Sequence, residues 1–249
     1  MTNLPYGDII AKVIKMLLYI VRHGDPIYVT DTLTERGKKQ AEAVGKRIYD
    51  SGINVIYSSP MGRARETAEP ACRMLDLECN IEEWTREIQD ERLTPFPDGK
   101  LKSVTLVQNT YYRENGYINL PYERTFECQG FNESGMEKAF NFIKEKGDEF
   151  LERLGYKEEN GVYRILRPNE DKVALFCHAA FTRAWLSYLL HIPIHIMWSS
   201  FQYTHTGVTI IDFKNNENGV TAPTCRCFSD MSHLYKEGLD LIHDNSVEL

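Results

Sequence analysis

Long apolar runs, an excess of positive charge and zinc-type cysteine pairs are all missing from this sequence, and each absence removes a class of protein. The apolar run from Ile9 to Val21 is broken by Lys12 and Lys15 and falls short of the ~20 residues that a membrane-spanning helix needs. No small-residue cleavage site follows it, so it reads as a lead-in plus a buried strand. Lys and Arg number 29 against 36 Asp and Glu, giving a net charge of −7 and a pI near 5.6. That is the wrong sign for a nucleic-acid-binding surface. The six cysteines are Cys72, Cys79, Cys128, Cys177, Cys225 and Cys227. Cys225 and Cys227 form a C-x-C, but no second pair stands at zinc-ligand spacing beside it. No metal site, cofactor or disulfide framework is expected, only reduced thiols in a cytoplasmic protein. Internal repeats and low-complexity tracts are also absent.

What is present fits one α/β domain over residues 1–249, with 1–15 as an N-terminal extension and a substantial insertion. The composition is ordinary for a globular protein, 42% hydrophobic and 26% charged. Met16–Val21 is a nearly continuous apolar run, as for a strand buried on both faces. A helix is expected over Glu35–Asp50, with Thr34 as its cap and Gly52 as its stop. Asn54–Ser58 reads as a strand, and Ser59-Pro60 as cap and first residue of a helix running to Leu75. Residues 94–130 are rich in Tyr, Asn, Pro and Gly without clean periodicity, and are read as an insertion near the active site, a candidate lid. An amphipathic helix is expected over Glu133–Leu154 with Gly155 as its stop, a strand over Lys172–Cys177 and a helix over Ala180–His191. Val208–Phe213 and Val220–Phe228 flank a turn and read as a hairpin at the sheet edge. The fold class is a three-layer α/β/α sandwich with a mostly parallel, mixed central sheet.

Four nitrogen-bearing side chains fall at strand–helix junctions. Arg22-His23-Gly24 follows the first strand, on the edge of an open sheet where ligands bind. Gly24 permits a turn and a close backbone approach. Arg63 lies in the first turn of its helix, and helical side chains tilt toward the N-terminus. Arg65 sits about 200° around from it and faces elsewhere. His178 ends a buried strand and precedes a helix start, whose N–H groups favour an anion. A planar guanidinium suits phosphate oxygens. In a chain of net negative charge, such a pocket must be locally basic.

These segments together resemble the histidine phosphatase superfamily, the phosphoglycerate-mutase-like fold. The matching pieces are Arg22-His23-Gly24, Leu33-Thr34-Glu35-x-Gly37-x-x-Gln40-Ala41 and Ser59-Pro-x-x-Arg63-Ala-x-x-Thr67-Ala. Arg86-Glu87, His178-Ala-x-x-x-Arg183 and Thr206-Gly-Val-Thr-Ile complete the set, over roughly residues 14 to 215. The resemblance implies that His23 becomes a phosphohistidine, that Arg22, Arg63 and His178 bind the phosphate, and that Glu87 is the general acid. No metal is required. His178 also counts as catalytic on this reading. Ala179 stands where such families usually carry glycine, and its backbone N–H is a further phosphate donor. His205 and Thr206 lie in a segment that often lines the pocket and are candidates for substrate contact, with a plain loop role as the alternative for His205. Glu82, Glu83, Asp90, Glu91 and Asp98 are rival acids, and Asp25 is read as ordering its loop.

Three functions are compatible with these residues. The first is a phosphatase acting on a small phosphorylated metabolite or side chain, with no nucleic-acid or membrane partner. The second is a phosphoglycerate-mutase-type phosphoryl transfer, although the segment between Gly24 and Leu33 lacks the longer mutase loop. The third is a silent phospho-ligand-binding module, with Tyr111, Tyr112, Tyr117 and Tyr122 as a partner surface. The substrate and the oligomeric state are not fixed by the sequence.

Overall fold

The chain alternates strand and helix because its apolar runs alternate between continuous and three-to-four spacing. The computed structural model describes residues 14–89, 93–95, 101–104 and 107–242. Strand β1 (Lys15–Arg22) leads into a tight hairpin, β2 (Pro26–Ile27) and β3 (Thr32–Leu33). Then come α1 (Glu35–Asp50), β4 (Val55–Ser58), α2 (Gly62–Leu75) and β5 (Cys79–Ile81). The inserted region holds β6 (Leu93–Pro95), β7 (Leu101–Ser103) and α3 (Asn109–Glu114), and is followed by α4 (Met136–Arg153). A side hairpin, β8 (Tyr156–Glu159) and β9 (Val162–Ile165), precedes β10 (Lys172–Cys177), α5 (Ala179–Leu189) and α6 (Ile194–Ser200). The chain closes with β11 (Val208–Lys214), β12 (Val220–Thr221), β13 (Thr224–Asp230) and α7 (Ser232–Lys236).

The central sheet has the order β13-β11-β1-β10-β4-β5. β1, β10, β4 and β5 are parallel neighbours, and β11 and β13 add an antiparallel edge. This is the expected mixed, mostly parallel sheet. Side chains alternate across it. Met16, Leu18 and Ile20 of β1 pack with Phe150, Phe181 and Trp185 from α4 and α5. Tyr19 and Val21 pack on the other face with Val44, Ile48 and Ala68 from α1 and α2. Both faces are covered, which makes three layers.

Several boundaries differ from the sequence reading. α2 starts at Gly62, not at Pro60, and its first N–H donates to Asp31 Oδ2 at 2.6 Å. Ser59 instead places its hydroxyl 2.8 Å from His178 Nε2, so a distant carboxylate performs the capping. The expected edge hairpin splits: β13 pairs with β11, while β12 leaves to pair with β9. α4 begins at Met136, and Gly155, at φ 101°, ends it as expected. α5 stops at Leu189, with His191 at φ 51°.

Residues 1–13 of the extension lie outside the described residues, and Lys15 is already part of β1. The inserted region is rooted in the core: Val104, Val107, Tyr112, Cys128 and Phe131 are all buried there. Tyr111 bonds through its hydroxyl to Gln129, and Tyr122 packs 4.7 Å from the His191 ring. Thr125 accepts the Ile194 N–H at 2.8 Å, tying the segment to α6. Of the tyrosines read as a partner surface, Tyr112 is fully buried in the core and Tyr111, Tyr117 and Tyr122 pack against it.

Candidate active site

The order β1-β10-β4 assembles the site. Three strands far apart in the chain end side by side, with Arg22 opposite Cys177 and Phe176 opposite Ser58. The His23 N–H donates to the Cys177 carbonyl at 2.9 Å, and the Ser59 N–H to the Phe176 carbonyl at 2.8 Å. His23 and His178 therefore emerge at one edge, their ring centroids 5.2 Å apart.

Gly24 is required for packing. A Cβ there would meet the Gly37 carbonyl oxygen at 2.8 Å, and one on Gly37 would meet the Asp25 oxygen at 2.2 Å. The Gly24 N–H donates to Thr67 Oγ1 at 2.9 Å, and that hydroxyl donates to the Arg63 carbonyl at 2.6 Å. These bonds lock α2, and Arg63 with it, onto the loop that carries His23. Asp25 orders that loop as read: its carboxylate accepts from Thr34 Oγ1 at 2.8 Å and its N–H donates to Gln40 at 2.8 Å.

The His23 ring is oriented by the Gly24 carbonyl, 2.7 Å from Nδ1. Nδ1 therefore carries the proton and Nε2 carries the lone pair. Burial, then the Arg22 charge, the neighbouring His178 ring and the Arg63 charge, hold the His23 pKa well below the usual imidazole value. The ring is neutral at physiological pH, as a nucleophile must be. His178 is held low by burial and then by Arg63 and Arg22. Ser59 Oγ accepts the Met61 N–H at 3.3 Å and sits 2.8 Å from His178 Nε2. With the serine donating, the remaining proton lies on His178 Nδ1.

Buried polar atoms are normally partnered. Here four nitrogens on the neighbours of His23 are buried and lack a hydrogen bond within the described residues, Arg22 Nε, Arg63 Nε, His178 Nδ1 and His205 Nε2, as does Arg183 Nε beside Arg22. Arg22 is otherwise fixed by a bond to the Tyr203 carbonyl, and Arg63 by Asp31 and by the face of Tyr28 at 5.4 Å. Burial lowers the Arg22 pKa, and it brings Arg183 down to about 10, still well above neutral pH. The chain is acidic overall, yet this pocket is cationic.

Glu87 stands at the start of α5. Its carboxylate accepts N–H bonds from Phe181 at 2.9 Å, Ile88 at 3.0 Å and Ala180 at 3.2 Å. The Ala179 amide is left as the first-turn donor that Glu87 does not engage. Among the rival acids, Glu82 is tied to Trp84 and Arg153, and Glu83 to Arg86 at the surface. Asp90, Glu91 and Asp98 lie outside the described residues. His205 comes to 5.7 Å from the His23 ring. Burial, then Arg22 and Arg36, push its pKa down to about 2, so its 3.7 Å approach to Asp25 is not an ion pair. Thr206 faces elsewhere: its hydroxyl bonds to the His205 carbonyl and lies 3.1 Å from His233 Nε2, and its N–H donates to the His23 carbonyl at 3.2 Å. Arg65 is exposed, as expected.

Two neighbours of these side chains were not singled out from sequence. Arg183 is buried beside Arg22 and Glu87; its only signal was its place in the His178-Ala-x-x-x-Arg183 segment. Tyr28, which lies beside Arg22 and covers Arg63, gave none. No group of three or more His, Cys, Asp or Glu side chains suited to a metal occurs among the described residues.

The sequence profile of the histidine phosphatase superfamily (branch 1) matches residues 18–94 and 131–225. The chain belongs to this superfamily. The part of the insertion at 95–130 lies outside the match. Among superfamily relatives, the chain is 41% identical over 68 residues to the mitochondrial serine/threonine-protein phosphatase Pgam5 of Drosophila erecta, covering 24% of each chain. It is 39% identical over 61 residues to a probable phosphoglycerate mutase, GpmB, of Erwinia tasmaniensis, covering 21% of this chain and 28% of that one. The matches thus span about a quarter of the length of these relatives. In fold, it is similar to phosphoserine phosphatase of Entamoeba histolytica, with a TM-score of 0.57 at 24% identity over 88% of this chain and 99% of that one. A mycobacterial glucosyl-3-phosphoglycerate phosphatase gives a TM-score of 0.56 at 15% identity, covering 86% and 98%.

Proposed function

We propose that the chain is a metal-independent phosphomonoesterase that works through a phosphohistidine at His23. The observation that carries this reading is the set of four unpartnered buried nitrogens, on Arg22, Arg63, His178 and His205, beside a neutral imidazole whose Nε2 lone pair is free. Phosphoryl transfer asks mainly for positioning and for charge stabilisation on three equatorial oxygens. Nε2 attacks phosphorus in line, while Arg22, Arg63, His178 and the Ala179 amide donate to those oxygens. Their donors are fixed before the reaction, so little reorganisation opposes the transition state. Glu87 gives its proton to the leaving oxygen, then takes one from the water that cleaves the P–N bond. His205 contacts the substrate beyond the phosphate.

The substrate is a small phosphorylated metabolite or a phosphorylated side chain, and the setting is cytoplasmic. Relatives named as phosphoserine, glucosyl-3-phosphoglycerate and serine/threonine-protein phosphatases support the first statement. Six cysteines free of disulfides support the second. Cell fractionation checks it, and recovery from an oxidising compartment would refute it. The tight β2–β3 hairpin after Gly24 supports hydrolysis over mutase transfer. Purified protein is expected to release phosphate from p-nitrophenyl phosphate in the presence of a chelator, and His23→Ala to abolish the release. Turnover retained in that variant rejects the mechanism. Exchange between the 2 and 3 positions of phosphoglycerate that outpaces release to water would assign it to the mutases instead.

A further inference from the structure

A second feature lies on the same helix as Arg63, outside the phosphate pocket. α2 ends in a left-handed residue, Asp76, at φ 54°, and the N–H groups of Asp76 and Leu77 both return to the Cys72 carbonyl. This reversal starts β5 at Cys79, directly beside Cys72. The two thiols are close enough to act on each other's ionisation, and the Ser58 hydroxyl acts on Cys79 as well. Both are partly buried and line one open cleft of about 520 Å³ together with Asp31, Gly62, Arg65 and Glu66. A hydroperoxide can therefore reach them from solvent.

The two sulfurs are chemically unequal. The neighbouring Cys72 thiol, helped by Ser58 and the Arg65 charge, favours the Cys79 thiolate against the opposing effect of burial. The Cys79 sulfur, with burial behind it, holds the Cys72 thiol protonated. An attacking thiolate next to a resolving thiol is the arrangement that oxidation to a disulfide needs. Cys225 and Cys227 on β13 are partly buried too, but burial raises both thiols.

We propose that Cys72 and Cys79 form a reversible intramolecular disulfide on exposure to hydroperoxides. The Cys79 thiolate attacks one peroxide oxygen; the O–O bond breaks, giving a sulfenic acid and hydroxide. Cys72 sulfur then displaces the sulfenic oxygen, which leaves with the Cys72 proton as water, and the S–S bond forms. Overall, two thiols and one hydrogen peroxide give one disulfide and two waters. The bond ties the last turn of the Arg63 helix to β5.

The test is differential alkylation of the full-length chain after treatment with equimolar hydrogen peroxide, read by peptide mass spectrometry. The expected product joins residues 72 and 79, is two hydrogens lighter than the dithiol form, and reverts with dithiothreitol. In Cys72→Ser, a dimedone-trappable sulfenic acid is expected to accumulate at Cys79. Oxidation of Cys72 and Cys79 no faster than that of Cys225 and Cys227 overturns the proposal, as does linkage to other cysteines or between chains. Should the variant fail to fold, the wild-type product alone decides. The readout is independent of phosphate release, so it stands or falls apart from the proposed activity.

Discussion

Lowering the pH from 7.5 to 5.5 is expected to destabilise this fold sharply, through histidines that folding keeps neutral. Burial, then the neighbouring Arg47 charge, brings His233 down to about 3. Arg47 donates toward its Nδ1 at 3.3 Å and Thr206 Oγ1 sits 3.1 Å from its Nε2, so a second ring proton has no acceptor. His205 is down at about 2. In the unfolded chain each titrates near ~6.5. Below that value the unfolded state binds protons that the native state does not, so stability is full above about pH 6.5 and falls with pH until the folded values are reached. The loss is about 1.4 kcal/mol per histidine per pH unit. His205 and His233 together therefore remove roughly 2.7 kcal/mol between pH 7.5 and 5.5. His23 and His178 are displaced in the same direction and add to this. Asp148, raised to about 6 by burial, works oppositely. It is half-exposed and screened, so its offset is below about 1 kcal/mol. Urea unfolding at the two pH values measures the difference, and His233→Gln is expected to reduce the slope by one proton. A flat profile, or an unchanged slope in that variant, would refute the reasoning.

Glu87→Gln should slow hydrolysis of alkyl phosphates by roughly 10²–10⁴ and that of p-nitrophenyl phosphate far less, since nitrophenolate leaves unaided; equal losses on both substrates argue against an acid role. Gly37→Ala is expected to lower stability by about 1–3 kcal/mol, because its Cβ would meet the Asp25 oxygen at 2.2 Å; an unchanged melting temperature contradicts this. Gly147→Ala places a Cβ 2.4 Å from Trp185 Nε1. Its overpacking cost is set against a helix-propensity gain of ~1 kcal/mol, so calorimetry should show a net loss. Arg63→Lys is expected to raise KM and weaken vanadate inhibition, since a single ammonium cannot hold Asp31 and a phosphoryl oxygen in fork geometry; unaltered inhibition removes Arg63 from the phosphate pocket.

Much of this was legible in the sequence because the signals were local. The Met16–Val21 run, Thr34 ahead of α1 and the stop at Gly155 each depend on a few neighbouring residues, and each stands where it was read. Arg22, His23, Arg63 and His178 were recognisable because each sits at or just beyond the carboxyl end of a buried strand. The start of α2 was misplaced because the cap comes from Asp31, some thirty positions upstream. Val220 was assigned to the wrong partner because an edge strand is equally satisfied by either neighbour once its backbone groups are paired.

The sequence alone determined the class of chain, its layers and the residue types available for an anion. Only the tertiary structure decided which of them meet. The strand order β1-β10-β4 sets residues 22, 58 and 177 side by side, and no local preference encodes that order. It is also burial, a property of the whole fold, that strips the imidazoles of their charge and leaves buried nitrogens of Arg22, Arg63, His178 and His205 without a partner.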